Sequence, residues 1–286
     1  MFLIATLAIE TIAIHTSCML FKFVCYNFSM LKLNIIIFIF LILFPISAEP
    51  QELDRSMFKS SSMVSLEVAK KAIKQVYLDS GQTRTLHCGC FFDKQKQVYP
   101  NSCDMNPSRL RIKEERKILK WVHAMPLSVF AGPMNCWNEL ICTKSDGSKF
   151  KGANCCDNIS PKFKSMQSDM HNLIPSFDWA IGILGDSFGS VAFGGMNEYK
   201  ACINGGVIPK DPVAEARGNL ARAYFYMSFL YRIRIEDTPE EKLRTWHFED
   251  PPDQMEEERN SLIEQVQGNR NPFIDHPEAV ERVTDF

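Results

Sequence analysis

Two short blocks of the sequence hold histidines that could carry out chemistry. The first reads Trp-Val-His-Ala-Met-Pro at residues 121–126 and contains His123. The second reads Ser-Asp-Met-His-Asn-Leu-Ile-Pro at residues 168–175 and contains His171. A neutral imidazole can accept a proton from water or bind a metal ion, so such residues suit a hydrolytic reaction. A histidine can also be a structural hydrogen-bonding residue, and we interpret His171 and Asn172 in that way.

Five ordered blocks of the sequence resemble the endonuclease I family, small secreted nucleases built on a ββα-metal finger. Two of them are the histidine blocks. The others read Thr-Leu-His-Cys-Gly-Cys at 85–90, Ala-Arg-Gly-Asn-Leu-Ala-Arg-Ala-Tyr-Phe-Tyr-Met at 216–227 and Val-Gln-Gly-Asn-Arg-Asn-Pro-Phe at 266–273. A single block is a weak signal, but five blocks in order indicate the family.

The resemblance implies an α+β fold, with a ββα-metal finger nuclease core embedded in a mixed, largely helical, disulfide-stabilised single domain. It implies a non-specific nuclease, secreted or periplasmic in bacteria, that hydrolyses phosphodiester bonds of DNA and often RNA. His123 stands at the position of the general base, which takes a proton from the attacking water. One divalent cation, Mg²⁺ or Ca²⁺, would neutralise charge on the phosphate and on the leaving oxygen.

The two family positions that bind the metal hold aliphatic residues in this chain. Val122 stands where the family has a glutamate. The counterpart of the second ligand, an asparagine, is Leu184, or Ile181 if no insertion is allowed after Pro175. Because these side chains cannot bind a cation, two function hypotheses follow. One is a nuclease with relocated metal ligands, and the other is a catalytically inactive pseudonuclease that binds nucleic acid or a protein partner.

Asp178 is the candidate for a relocated metal ligand. It lies three residues before Ile181, so on a helix the two residues would share a face, and the carboxylate could hold a cation beside His123. The alternative is that Asp178 caps the helix expected after Pro175, and we favour the cap.

Four basic residues are candidates for contacts with substrate phosphates. The family's transition-state arginine lies in a Gly-Gly-Arg-Lys-Asn-Cys stretch, and the nearest match here, Lys-Gly-Ala-Asn-Cys, has no arginine. Lys149 or Lys151 could supply positive charge, but without bidentate geometry. Arg217 and Arg222 could contact phosphate, or each could pair with a carboxylate.

Charge is unevenly distributed in a chain of formal net charge −2. Residues 109–120 and 144–164 are rich in lysine and arginine, whereas residues 236–258 are acidic. A basic surface beside the candidate site would attract the phosphate backbone of nucleic acid without sequence preference. The alternative for residues 109–120 is a solvated helix face of mixed charge.

The cysteines predict a disulfide framework. Two of the ten lie in the first 48 residues, and the others are confined to one half of the remaining chain. An even set in an exported chain favours disulfides over free thiols, and the spacing does not match a zinc site. The pairing cannot be read from the sequence. The candidates are Cys88, Cys90, Cys103, Cys136, Cys142, Cys155, Cys156 and Cys202.

Residues 1–48 differ in composition from the rest of the chain. Residues 31–45 are mostly isoleucine, leucine and phenylalanine, with Lys32 as a positive charge near their start. The small-residue sequence Ile-Ser-Ala follows at residues 46–48. This pattern predicts a secretory signal peptide that starts at Met30 and is cleaved after Ala48.

The remaining residues, 49–286, are long and apolar enough to form one endonuclease I-like domain with its own core. We expect no stable membrane association once the signal is cleaved. The alternative is that the apolar stretches at 2–19 and 31–45 serve as one or two membrane anchors.

Several elements must position the histidine blocks. The apolar spacing of residues 65–78 predicts an amphipathic helix, and residues 121–126 suit a strand or strand end. Residues 136–164 are rich in glycine, asparagine, serine and lysine, which predicts a long disulfide-pinned loop. A helix is expected over residues 178–184.

The clearest predicted helix runs from residue 212 to about residue 233. Asp211 can cap it, and Pro212 suits its first turn. Its apolar residues recur at helical spacing, which predicts one apolar face directed at the core.

Overall fold

The computed structural model describes Ser56, Ser108 and residues 58–63, 65–86, 88–103, 112–177 and 213–286. The chain divides into the units Met1–Gln51 and Glu52–Phe286, and all described residues belong to the second unit. The predicted leader and the predicted helix at residues 178–184 lie outside the described residues. No helix among the described residues is both long and apolar enough to cross a membrane.

The described residues form nine α-helices and six short β-strands. The helices are α1 Leu66–Asp79, α2 Leu127–Ala131, α3 Asn135–Asn138, α4 Ala153–Ile159, α5 Pro161–Gln167, α6 Arg217–Tyr231, α7 Asp237–Glu249, α8 Gln254–Gln267 and α9 Pro272–Asp275. The strands are β1 Phe91–Phe92, β2 Val98–Tyr99, β3 Leu119–His123, β4 Cys142–Thr143, β5 Lys149–Phe150 and β6 Leu173–Phe177. The mixture confirms the α+β class. The ββα-metal finger stays a prediction, because the residues that follow β6 lie outside the described part.

Strands β3 and β6 bring the two histidine blocks together. They are antiparallel, and their register pairs Trp121 with Pro175 and His123 with Leu173. The carbonyl of Pro175 also accepts a hydrogen bond from the Leu86 amide at 2.9 Å. The strand predicted at the first histidine block is therefore confirmed, and Leu86, from the block at residues 85–90, lies along the outer edge of β6.

Helix α1 forms where the sequence predicts it. Ser65 caps its first turn, since the side-chain oxygen accepts from the Val68 amide. Ala69, Ile73 and Val76 recur at helical spacing and are buried. This face packs against α8, which fixes α1 to the rest of the core.

The segment at residues 136–164 is not the long loop that its composition predicts. It contains the hairpin β4–β5 and the helices α4 and α5, and it starts within α3. The hairpin turns at Gly147, whose φ of 84° is easy for glycine, and Asp146 accepts from the Ser148 amide at 2.9 Å. Ser160 caps α5, and Pro161 occupies its first turn. The glycine, asparagine and serine residues that suggested a loop belong instead to the turns, caps and short helices of this segment.

Helix α6 differs from its prediction in two respects. It begins at Arg217 after a 3₁₀ turn at Ala214–Ala216, and the predicted cap and first turn lie outside the described residues. The helix is buried on nearly all sides, including polar residues such as Asn219 and Ser228. The predicted burial of a single apolar face is therefore wrong. The helix is buried on several sides because α7, α9 and the 3₁₀ turn at Met170–Asn172 all pack around it.

A disulfide framework is confirmed. Cysteine pairs are joined with Cα separations of 4.7, 5.0 and 5.6 Å. They are Cys90–Cys103, Cys136–Cys156 and Cys142–Cys155. Cys88 is disulfide-bonded as well, and its partner lies outside the described residues. Among residues 136–156, one pair joins β4 to α4 and the other joins α3 to α4.

Candidate active site

His123 ends strand β3 and is fixed by a backbone carbonyl. Its Nε2 lies 2.8 Å from the carbonyl oxygen of Gln167. A carbonyl oxygen only accepts, so Nε2 carries the proton and Nδ1 keeps the lone pair of the neutral ring. The ring also meets Phe130 edge-on, with a centroid separation of 5.9 Å. His123 is thus held in the tautomer that can accept a proton at Nδ1.

Burial lowers the pKa of His123 from 6.5 to about 4. The hydrogen bond to Gln167 opposes this change, and the positive charge of Lys70 adds to it. At neutral pH the imidazole is therefore uncharged, which is the form that a general base requires.

Gln167, the last residue of α5, was not identified from the sequence. It contributes a main-chain carbonyl, which every residue type has, so only its place directly before the second histidine block could have drawn attention to it. Its side-chain Nε2 donates to the carboxylate of Asp157 in α4. This bond ties the carbonyl that orients His123 to the disulfide-anchored segment.

A buried carboxylate connects the second histidine block to two other blocks. Asp169 Oδ2 accepts from the hydroxyls of Tyr226 and Tyr231, each at 2.8 Å. Its Oδ1 accepts from Gln267 Nε2 at 2.9 Å and from the His171 amide at 3.1 Å. The blocks at residues 168–175, 216–227 and 266–273 therefore meet at Asp169, whose oxygens are occupied by donors.

His171 and Asn172 have structural roles, as the sequence predicted. His171 Nε2 lies 3.2 Å from the Asn269 carbonyl, and its ring packs on that of Tyr226 at 4.8 Å. Burial lowers the pKa of His171 to about 4. Asn172 Oδ1 accepts from the Met125 amide at 2.7 Å, and Asn172 Nδ2 donates to the Met125 carbonyl at 3.1 Å. Asn172 thereby fixes the turn that follows His123.

The described part of the chain does not fit a metal ion beside His123. Val122 lies opposite Ile174 in the strand pair and packs against the core, and it offers no ligand atom. Among the described residues, no group of three or more histidine, cysteine or acidic side chains could hold a metal ion. Asp178 and Leu184 lie outside the described residues, so the relocated ligand stays a prediction.

Lys149 and Lys151 are exposed on and beside the β4–β5 hairpin. Lys149 Nζ donates to the Thr143 hydroxyl at 2.7 Å, and Lys151 Nζ donates to the Asn138 carbonyl at 2.9 Å. Both partners are uncharged, so these two hydrogen bonds are not ion pairs. The two residues remain candidates for phosphate contacts.

Arg222 is placed where a substrate phosphate does not reach. Its side chain is completely buried. Its Nε donates to Glu256 Oε1 at 2.9 Å, its Nη2 donates to the other oxygen of that carboxylate, and its Nη1 donates to the Asp250 carbonyl at 2.7 Å. The prediction of a phosphate contact is wrong for Arg222, because Glu256 of α8 holds the guanidinium inside the core.

Arg217 is partly exposed at the start of α6, with Nη1 3.9 Å from Glu249 Oε2. Its partner is thus a carboxylate of α7, and a role in phosphate binding stays a prediction. The basic run at residues 112–120 is not a helix face. It forms a 3₁₀ turn at Glu114–Arg116 followed by β3, and Lys117 pairs with Glu114 at 2.5 Å.

The protein is a disulfide-bonded α+β protein. Its antiparallel strand pair ends in a neutral histidine that is a candidate general base. The chain belongs to the endonuclease I family. The family's model, described as Endonuclease I, matches residues 76–278.

Relatives that resemble the chain over most of its length carry nuclease names. A periplasmic deoxyribonuclease of Aeromonas hydrophila is 33% identical over 221 residues, which cover 72% of this chain and 84% of the relative. An extracellular deoxyribonuclease of the same organism is 30% identical over 76% of this chain and 90% of the relative. Endonuclease-1 of Buchnera aphidicola is 29% identical over 77% of this chain and 84% of the relative. The first two names describe proteins outside the cytoplasm, in agreement with the predicted export.

Proposed function

We propose that the protein is an exported nuclease that hydrolyses phosphodiester bonds of DNA, with His123 as the general base. The observation that carries this proposal is the anchoring of His123 Nε2 by the Gln167 carbonyl, which leaves Nδ1 to accept a proton. A water molecule at Nδ1 would pass one proton to the imidazole as its oxygen bonds to phosphorus and the P–O bond to the leaving sugar oxygen breaks, and the leaving oxygen then takes up a proton. The names of the relatives support DNA as the substrate.

The substrate contacts are proposed to be electrostatic. Exposed lysines such as Lys149 and Lys151 attract phosphates of any sequence, and this chemistry admits RNA as well as DNA. Arg217 can add to this field because it is partly exposed. Non-specific binding to nucleic acid follows from contacts of this kind.

The resemblance to the family implies one divalent cation. Bound Mg²⁺ or Ca²⁺ would supply positive charge to the phosphate and to the leaving oxygen. Val122 cannot hold it, so its ligands would have to come from residues such as Asp178.

A second candidate function is that of a pseudonuclease that binds nucleic acid or a protein partner without turnover. The aliphatic Val122 at the family's metal-binding position favours it. The base alone contributes typically 10²- to 10⁴-fold, so a site that has lost its cation would be feeble even with His123 intact.

The test is digestion of plasmid DNA by the oxidised, exported protein with and without Mg²⁺. An active nuclease predicts Mg²⁺-dependent nicking that His123→Ala lowers by about 10²- to 10⁴-fold. His276→Ala is the matched control, because it removes an exposed histidine. Loss of cleavage in Asp178→Ala would identify the relocated metal ligand.

The opposite results assign the second function. No cleavage by the wild type at any Mg²⁺ concentration, with DNA binding intact, identifies a pseudonuclease. In that case Val122→Glu combined with Leu184→Asn should raise Mg²⁺-dependent cleavage, and adding His123→Ala should remove the gain. Equal activity of the wild type and His123→Ala would contradict the general base in either case.

A further inference from the structure

A cavity of about 750 Å³ lies beside the strand pair and is separate from His123. Its wall includes Tyr77 of α1, Asn219 of α6, Met255 of α8 and residues 81–86 and 88–89. This volume falls in the range of small-molecule binding sites, which is roughly 300–1,000 Å³. None of the residues proposed above for catalysis or phosphate binding lines it.

Two side-chain amide oxygens in this wall lack hydrogen-bond partners among the described residues. Asn219 is only 9% exposed, and its Oδ1 is buried with no partner in the described part of the chain. The same holds for Oε1 of Gln82. Buried polar side-chain atoms are hydrogen-bonded in the large majority of cases. Two unpaired amide oxygens on one cavity wall therefore point to a ligand that supplies hydrogen-bond donors.

The charges around the cavity balance, which disfavours a charged ligand. Arg84 and Arg259 line the wall together with Glu215 and Asp253. Both guanidinium groups are engaged: Arg84 donates to a backbone carbonyl at 2.9 Å, and Arg259 donates to the Tyr77 hydroxyl at 2.9 Å. The carboxylates would repel a phosphate. An uncharged polar ligand fits this wall better than an anion.

The remaining wall is apolar. Leu86 and Pro175 are buried, and Met255 at the rim is 45% exposed. The unbranched thioether of methionine adapts to the shape of a ligand and packs well on aromatic rings. Asparagine and glutamine amides donate and accept in one plane, which matches the hydrogen-bonding edge of a nucleobase. A flat heteroaromatic base combines both requirements.

The cavity adjoins the strand that carries the candidate base. The ring of Tyr77 packs on that of Trp121 with a centroid separation of 5.0 Å. Trp121 and His123 lie two residues apart on the same face of β3, about 6 to 7 Å along the strand. A nucleic-acid strand with one phosphate at His123 could therefore place a nearby base in the cavity.

We propose that this cavity binds an unpaired nucleobase, with the amides of Asn219 and Gln82 contacting its edge. The identification of the ligand rests on the proposed action on nucleic acid. A base must leave its duplex stack to enter such a pocket. The protein accordingly prefers single-stranded or frayed nucleic acid to an intact duplex.

The test is calorimetric titration of the oxidised full-length protein with adenosine, thymidine and inorganic phosphate in the absence of Mg²⁺. We expect the nucleosides to bind and phosphate not to compete with them. Asn219→Leu keeps the branched shape of the side chain but removes its polar atoms, so nucleoside affinity should fall about tenfold. Because Asn219 Oδ1 has no partner among the described residues, its removal costs no hydrogen bond at that atom, so the Tm should change little. Asn158→Leu is the matched control at an exposed position.

Three outcomes would overturn the proposal: no nucleoside binding by the wild type, equal affinity in Asn219→Leu, or phosphate competition. If Asn219→Leu fails to fold, Gln82→Met provides the same comparison on the other amide. Cleavage is not measured in these titrations. An inactive protein that binds nucleosides would contradict the nuclease alone, and an active protein that binds none would contradict the cavity alone.

Discussion

At the scale of single residues, Asp169 shows how a buried carboxylate is stabilised by uncharged donors. Two tyrosine hydroxyls, one glutamine amide and one backbone amide surround its two oxygens. Burial raises the pKa of Tyr226 and Tyr231, and the negative charge of Asp169 contributes to this direction. The hydroxyls therefore remain protonated and keep donating.

Asp169→Asn is expected to destabilise the fold by roughly 2 kcal/mol or more. The substitution keeps the shape but replaces one accepting oxygen with an NH₂ group, which faces donors and leaves at least one of them unsatisfied. Urea unfolding at pH 7 measures the effect. Asp285→Asn, at an exposed position, is the control, and equal midpoints for the two variants would contradict the role of the network.

Single residues also show what the sequence can and cannot predict. His123 and the missing ligand at Val122 can be read from a block of six residues. Gln167 cannot, because its carbonyl carries no sequence signal. For Arg222 the sequence could not decide between a phosphate and a carboxylate, because its partner, Glu256, lies 34 positions away in α8.

At the scale of elements, the β4–β5 hairpin is a short structure that its disulfides and its turn hold in place. Cys142–Cys155 joins β4 to α4, and Cys136–Cys156 joins α4 to α3. Lys149 and Lys151 are therefore displayed on a fixed surface. Positive charges in fixed positions can contact phosphates without a large loss of side-chain and loop entropy.

The double variant Lys149→Gln/Lys151→Gln should weaken DNA binding and its dependence on salt. Each lost phosphate contact lowers the slope of log K against log salt by about 0.9 on duplex DNA, so the two lysines account for a change approaching 2. Fluorescence anisotropy with a labelled duplex at several salt concentrations measures the slope. Lys71→Gln/Lys94→Gln removes two other exposed lysines and is the control. A slope that is equally reduced in both variants would assign the effect to net charge.

Removal of either disulfide of the hairpin region should lower the free energy of unfolding by about 2–4 kcal/mol. The pairs Cys136–Cys156 and Cys142–Cys155 span 20 and 13 residues, and each restricts the unfolded chain. Paired cysteine-to-serine variants, compared with the wild type in urea under oxidising conditions, measure the loss. Unchanged midpoints would contradict the structural role of these bonds.

The elements differ in how well the sequence predicts them. Helix α1 has both a serine cap and apolar residues at helical spacing, so the local sequence is sufficient. The β4–β5 hairpin has strands of two residues, which are too short for any periodicity. Its Asp-Gly turn was the available signal. Disulfides fix the positions of the neighbouring helices α3 and α4, and the pairing of those cysteines cannot be predicted from the sequence.

At the scale of the whole molecule, the described residues include two buried histidines, His171 and His247, and the partly buried His123. Burial lowers the pKa of His123 and of His171 to about 4 and also lowers the pKa of His247. In the unfolded chain these imidazoles recover an ordinary pKa near 6.5. Between about pH 6.5 and pH 4, the unfolded chain therefore binds protons that the folded protein excludes.

The free energy of unfolding should consequently fall as the pH decreases from about 6.5 towards 4. Each fully excluded proton contributes a slope of roughly 1.4 kcal/mol per pH unit, because a lowered histidine pKa gives stability that is present above the unfolded pKa and lost below it. Urea unfolding at pH 7.0, 6.0 and 5.0 measures the slope. His171→Gln keeps a donor for the Asn269 carbonyl and should reduce the slope by about one proton. His276→Gln removes an exposed histidine as the control. A stability that is constant over this range, or a slope that His171→Gln leaves unchanged, would show that these rings accept protons in the folded state.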